Sequence, residues 1–171
     1  MRRPVVGLLA LAAAGAIAAG CSSGNSGSGG SSSGGGGGIY GGGGSSPTSG
    51  QSGPATVSTA STTLGSILVD GKGRTLYLFQ KDQPNQSACS GACVSAWPVD
   101  PSSGTPKAGS GVKASLLSTI KRTDGSTQVT YNKHPLYYYS GDTQAGQQNG
   151  QGLNAFGALW YVVAPAGAAV K

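Results

Sequence analysis

The chain contains no glutamate, and its only acids are five aspartates, Asp70, Asp82, Asp100, Asp124 and Asp142. It has a single histidine, His134, and three cysteines. These shortages narrow the chemistry. A glycosidase would need two aspartates held roughly 5–10 Å apart, a geometry that nothing in the sequence leads one to expect. A Ser-His-Asp triad lacks its setting, because no serine stands at a nucleophile elbow and the lone histidine precedes a proline in a turn. The glycine runs have no strand-to-helix frame, so they are not a phosphate loop. Basic residues are scattered, and past the first twenty residues only Lys121 and Arg122 adjoin, which argues against nucleic acid as a partner. After residue 20 no apolar stretch approaches the roughly 20 residues that span a bilayer.

What is present begins with Cys21. Met1-Arg2-Arg3 precedes an apolar run from Val5 to Ala19, and Ala18-Ala19-Gly20 leads into the cysteine. This order predicts a lipoprotein signal peptide over 1–20, with cleavage before Cys21. The two arginines hold the start on the cytoplasmic side, and the small residues admit a peptidase. Cys21 would carry a diacylglycerol with acyl chains such as palmitate, anchoring the protein to the outer face of the cytoplasmic membrane. Residues around Arg2-Arg3 fit the general secretory route better than twin-arginine export. With Cys21 lipidated, four Cys/His zinc ligands cannot be assembled unless an aspartate joins.

Residues 21–55 read as a disordered tether. Gly and Ser fill 26 of the 33 positions from 21 to 53, too polar and too small to offset the entropy of ordering the chain. Such a coil reaches roughly 35 Å. Setting aside Arg2 and Arg3, nine basic residues face five aspartates, so the exported part carries about +4. That charge suits anionic lipid or a cell-wall polymer, or another envelope protein, as partner.

Residues 56–165 read as one small, mainly antiparallel β domain, with 166–171 as a tail. Gly65–Asp70, the turn Gly71-Lys72-Gly73 and Arg74–Phe79 form a hairpin signal. Thr119–Arg122, a turn, and Thr127–Tyr131 repeat it, followed by an Asn132-Lys133 turn, Leu136–Tyr139 and a last strand at Leu159–Val163. Short helical turns are expected near Cys89–Ala96 and Lys113–Leu117. At an offset of 60, Thr63, Gly65, Ser66, Val69, Leu76, Tyr77 and Asp82 match Thr123, Gly125, Ser126, Val129, Leu136, Tyr137 and Asp142. Two related hairpin units, about 63–100 and 123–163, could pack about a pseudo-twofold axis.

Tyr77-Leu-Phe79-Gln-Lys-Asp82 and Tyr137-Tyr-Tyr139-Ser-Gly-Asp142 share one pattern: tyrosine, any residue, aromatic, two residues, aspartate. With Cys89-Ser-Gly-Ala-Cys93, Trp97-Pro98 and His134-Pro-Leu-Tyr137, it resembles the bacterial "secreted repeat of unknown function" lipoproteins over about residues 64–165. The resemblance implies an exported, anchored module and no assigned activity. Lys133 departs from it, standing where the family usually has glycine.

In a strand, Tyr77 and Phe79 share one face and Leu76 and Leu78 the other, as Tyr137 and Tyr139 oppose Leu136 and Tyr138. Both faces are apolar, so both strands should be buried. Asp82 and Asp142 fall past the strand ends, where a carboxylate can accept backbone N–H groups. Alternatively, the paired aromatics and carboxylates line a cleft for a sugar or a cation. Cys89 and Cys93, outside the cytoplasm, are expected to form a disulfide. The competing use is a copper or thiol-redox site of Cys89, Cys93 and His134, since soft thiolates suit Cu(I). The loop Gly141–Ala155 offers Gln144, Gln147, Gln148, Asn149, Gln151 and Asn154 to a glycan, or is a solvated loop packed by Leu153 and Phe156. The favoured function is a non-catalytic binding or structural module without a cofactor.

Overall fold

A computed structural model of the protein describes residues 53–171; the leader, Cys21 and the Gly/Ser stretch through residue 52 lie outside the described residues. Strand β1 (Thr56–Thr62) turns at Thr63-Leu64 into β2 (Gly65–Asp70), and the two pair antiparallel from Val57 opposite Asp70 to Thr62 opposite Gly65. The second half repeats this with β5 (Leu117–Lys121) and β6 (Thr127–Tyr131). Gly65 and Gly125, equivalent in the repeat, both hold positive φ at these turns (92° and 82°), a conformation that other residues adopt only at a cost.

The expected Gly65–Phe79 hairpin is only partly there. The main partner of β2 is β1, and past the Gly71–Gly73 turn the return is held by one bridge, Val69 to Thr75. The chain then leaves that sheet. Strand β3 (Tyr77–Phe79) pairs with the last strand of the domain, not with β2. Between the halves lie a five-residue helix α1 (Ala92–Ala96), the two-residue β4 (Lys107–Ala108), which pairs parallel to β1, and a 3-10 turn at Ala114–Leu116. After β6 come β7 (His134–Pro135), β8 (Asn154–Ala155) and β9 (Ala158–Val162). The result is three small sheets, ordered β2-β1-β4, β3-β9-β8 and β5-β6-β7.

The halves meet at Tyr77 and Tyr137, which exchange both backbone hydrogen bonds (2.8 and 3.0 Å). These are equivalent residues of the repeat, so an approximate twofold passes between them. The symmetry extends further. Val163 accepts from Leu68 N–H and donates to Leu76 O, while Asp100 accepts from Val129 N–H and donates to Leu136 O. Trp97–Asp100 therefore does in one half what Trp160–Val163 does in the other.

Two apolar clusters follow from the strand alternation. Leu76, Leu78, Leu136 and Tyr138 join Val57, Leu68 and Val129 on one side. Tyr77, Phe79 and Tyr137 join Ile67, Trp97 and Trp160 on the other. The ordered domain begins at least by Ala55, which is buried and donates its N–H to Ser102 Oγ. Residues 166–171 are not a loose tail. Ala169 bridges Val163, Val170 N–H bonds Val162 O, and Val170 packs on the aromatic cluster.

The Asn132-Lys133 turn places both residues at positive φ (49° and 68°). Lysine thus adopts the left-handed shape that glycine supplies freely, at a cost of about 1–2 kcal/mol. Lys133→Gly is expected to gain up to about 1 kcal/mol after the entropy of the added glycine is subtracted, read from the urea midpoint.

Candidate functional site

The repeated motif interlocks the two halves by crossed pairs. Tyr77 Oη donates to Asp142 Oδ2 at 2.6 Å, and Tyr137 Oη donates to Asp82 Oδ2 at 2.8 Å. Each aspartate's other oxygen accepts a backbone N–H, from Ala88 for Asp82 and from Asn149 for Asp142. The capping role expected of both carboxylates is present, and the tyrosine of the opposite half is an added partner. Burial, partly offset by these bonds, pushes Asp82 up to about 6. Burial, with the adjoining carboxylates, pushes both phenols well above the usual tyrosine range. At neutral pH both phenols therefore keep their protons and donate them to the aspartates.

Behind these pairs the rings form a column. Phe79 stacks on Trp160 (4.1 Å between centroids), Trp160 on Trp97 (3.9 Å), and Trp97 meets Tyr139, tilted, at 4.5 Å. Tyr77 stands edge-on to Trp97 at 5.4 Å and Tyr137 edge-on to Trp160 at 5.1 Å. The order alternates between halves, so each half's motif aromatic lies on the other half's tryptophan. Gly150 completes the wall: a Cβ there would stand 2.8 Å from Trp97 and 2.9 Å from Tyr77. Phe79 closes one end, 2% exposed. Tyr139, half-buried, borders a groove of about 580 Å³ with Arg74, Ser95, Asp142 and Thr143.

Cys89 and Cys93 form a disulfide across the start of α1, with Cα atoms 5.3 Å apart. Both are buried in the aromatic cluster. Arg122 ties this loop to the second half, donating to Ser87 Oγ (2.6 Å), Cys89 O (2.6 Å) and Gln128 Oε1 (2.8 Å). The ring closed by the disulfide is short, so its loss costs about 2 kcal/mol. A Cys89→Ala/Cys93→Ala variant is expected to fold with that deficit in urea denaturation, and the unreduced wild-type domain to show no free thiol when unfolded. His134 lies opposite Tyr131 in the β6–β7 pair, and burial lowers its pKa. Among the described residues no three His, Cys, Asp or Glu cluster to hold a metal, so Cys89, Cys93 and His134 are not brought together as a copper set.

A family model described as a secreted repeat of unknown function matches residues 58–99 and 118–164. The chain belongs to this family. No curated protein and no solved structure shows a significant match. The two matched segments are the two structural halves, and the secreted repeat is thus one unit used twice about a twofold. The family description also makes the protein extracytoplasmic.

Sequence reasoning named both tryptophans but missed that they are equivalent in the repeat. Trp97-Pro-Val99 and Trp160-Tyr-Val162 are equivalent, but at an offset of 63 instead of 60, since the loop in the second half is three residues longer. A search at neighbouring offsets finds them. It also missed the pair Asp70 and Asp100, buried beneath Tyr138, with Arg74 over that ring at 3.9 Å. In the Gly141–Ala155 loop, Gln147 and Gln151 are spent on backbone groups. Leu153 (37%) and Phe156 (43%) stay exposed, so they do not pack the loop as expected.

Proposed function

We propose that this secreted repeat is a lipoprotein, anchored through Cys21, whose β module binds an anionic envelope polymer without catalysis. The carrying observation is the separation of charge by depth. All seven lysines are exposed, whereas Asp124 is the only exposed acid. Asp70 and Asp100 are buried, and Asp82 and Asp142 are held by the crossed tyrosines. The net charge of about +4 therefore understates the positive surface, whose field draws polyanions. The motif residues Tyr77, Asp82, Tyr137 and Asp142 are engaged in joining the halves. Among the described residues no helix is long and apolar enough to cross a membrane, and the acylated cysteine supplies the anchor.

Two measurements test this. Mass spectrometry of the membrane fraction should find a product starting at acylated Cys21; an intact leader or an unacylated product rejects the anchor. The Cys21→Ser protein should be retained by immobilised poly(glycerol phosphate) and not by uncharged dextran. Release is expected by about 1 M salt, where screening acts within about 3 Å. Absence of retention, or retention indifferent to salt, rejects the polymer.

A further inference from the structure

We propose that the aromatic column carries single oxidising equivalents from Tyr139 at the surface to the hydrogen-bonded phenols of Tyr77 and Tyr137. Four rings in contact would fill a core as well as any apolar set, but three further features single these out. First, the rings are in van der Waals contact from end to end, at 4.1, 3.9 and 4.5 Å, with both side branches at 5.4 Å or less. The two indoles at the centre are the side chains most easily oxidised by one electron after a phenolate.

Second, the repeat breaks its symmetry at the ends. The buried end is Phe79, which has no heteroatom on its ring and resists oxidation; its equivalent at the open end is Tyr139, beside the groove. The column is thus insulated at one end and accessible at the other. Third, each branch ends on a phenol whose proton has a carboxylate waiting at 2.6 or 2.8 Å. A buried tyrosine is hard to oxidise unless its proton leaves with the electron.

The step balances with a one-electron metal-complex oxidant of high potential, docked at the groove. The oxidant gains one electron from the column. The vacancy passes Tyr139, Trp97 and Trp160 by electron exchange, with no bond made or broken. At Tyr77 or Tyr137 the O–H bond breaks, the electron fills the column, and the proton moves to Asp142 or Asp82. The products are the reduced oxidant, a neutral tyrosyl radical and a protonated aspartate.

The test uses the mature chain and a ruthenium(III) polypyridine complex, photogenerated in solution as the oxidant. Transient absorption and electron paramagnetic resonance should show a tryptophan radical that gives way to a tyrosyl radical, more slowly in heavy water. Tyr77→Phe/Tyr137→Phe should prolong the tryptophan signal and lose the slow tyrosyl phase. Trp97→Phe should lose the Tyr137 radical. Tyr139→Phe removes one hydroxyl at a half-buried site and tests the path even if the Trp97 variant fails to fold; it should reduce the yield of buried radicals. Radicals confined to Tyr139 or the half-buried Tyr161, or unchanged kinetics in Tyr139→Phe and Tyr77→Phe/Tyr137→Phe, overturn the proposal.

Discussion

Trp160→Ala is expected to cost about 3–5 kcal/mol, enough to leave a domain of ordinary stability close to unfolding. Trp160 is fully buried and touches Phe79, Trp97 and Tyr137, contributed by both halves. Its indole N–H also bonds Ala155 O. The cavity would open on the twofold itself, so neither half keeps an intact core. The loss should therefore appear as a lower urea midpoint of one transition, with near-ultraviolet and far-ultraviolet dichroism changing together. Trp97→Ala should behave alike, because it is the equivalent residue. Two separated transitions would show that each half folds alone and that the crossed pairs only dock them. Phe156→Ala is the control: the ring is 43% exposed, and its removal should move the midpoint little.

The legibility of this fold follows the range of the interactions. Asp-Gly turns and alternating strands are local, so the β class and the β5–β6 hairpin could be read directly. The opposed faces of Leu76/Leu78 and Tyr77/Phe79 follow from strand period alone. Both short helical turns fell where the cysteines and the Lys113–Leu117 stretch suggested. Partner choice is different. The pairing of β3 with β9 joins residues more than 80 apart, and no local preference sets it. The same holds for the crossed pairs. Sequence could place Asp82 and Asp142 at strand ends and could relate the halves by a twofold, yet which tyrosine meets which aspartate is decided by packing. Asp100 was passed over because nothing local marks a buried carboxyl; it is set beneath Tyr138 by long-range bridges of its neighbours, Val99 to Tyr137 and Pro101 to Gln128.

Asp100 also sets the second large expectation, a domain that loses stability as pH rises from about 4 to about 7. Its carboxyl is fully buried, accepts from Tyr138 Oη at 2.7 Å, and has no partner for Oδ2 among the described residues. Burial, with the nearby Asp70 carboxylate, pushes it up to about 7 from an ordinary 3.8. Between those values the folded state holds a proton that the unfolded chain releases, so unfolding becomes easier with rising pH and levels off above about 7. Three units at about 1.4 kcal/mol each set an upper bound of about 4 kcal/mol. Asp82, raised to about 6, acts in the same direction over a narrower window. His134 opposes both: burial lowers its pKa, so it adds stability as pH rises towards about 6.5. Asp124, held near 2 by the Ser126 hydroxyl and N–H and by Arg122, loses its contribution only as pH falls from 3.8 towards 2. The maximum should therefore lie in mild acid. Asp100→Asn removes the proton exchange while keeping the shape. It should flatten the fall between pH 4 and 7 and exceed wild type at pH 8, measured by urea titration across that range. A wild-type curve that climbs over this interval would mean that the fold keeps a charged carboxylate beneath Tyr138, steadied by Arg74, and the asparagine variant would then be the weaker protein at pH 8.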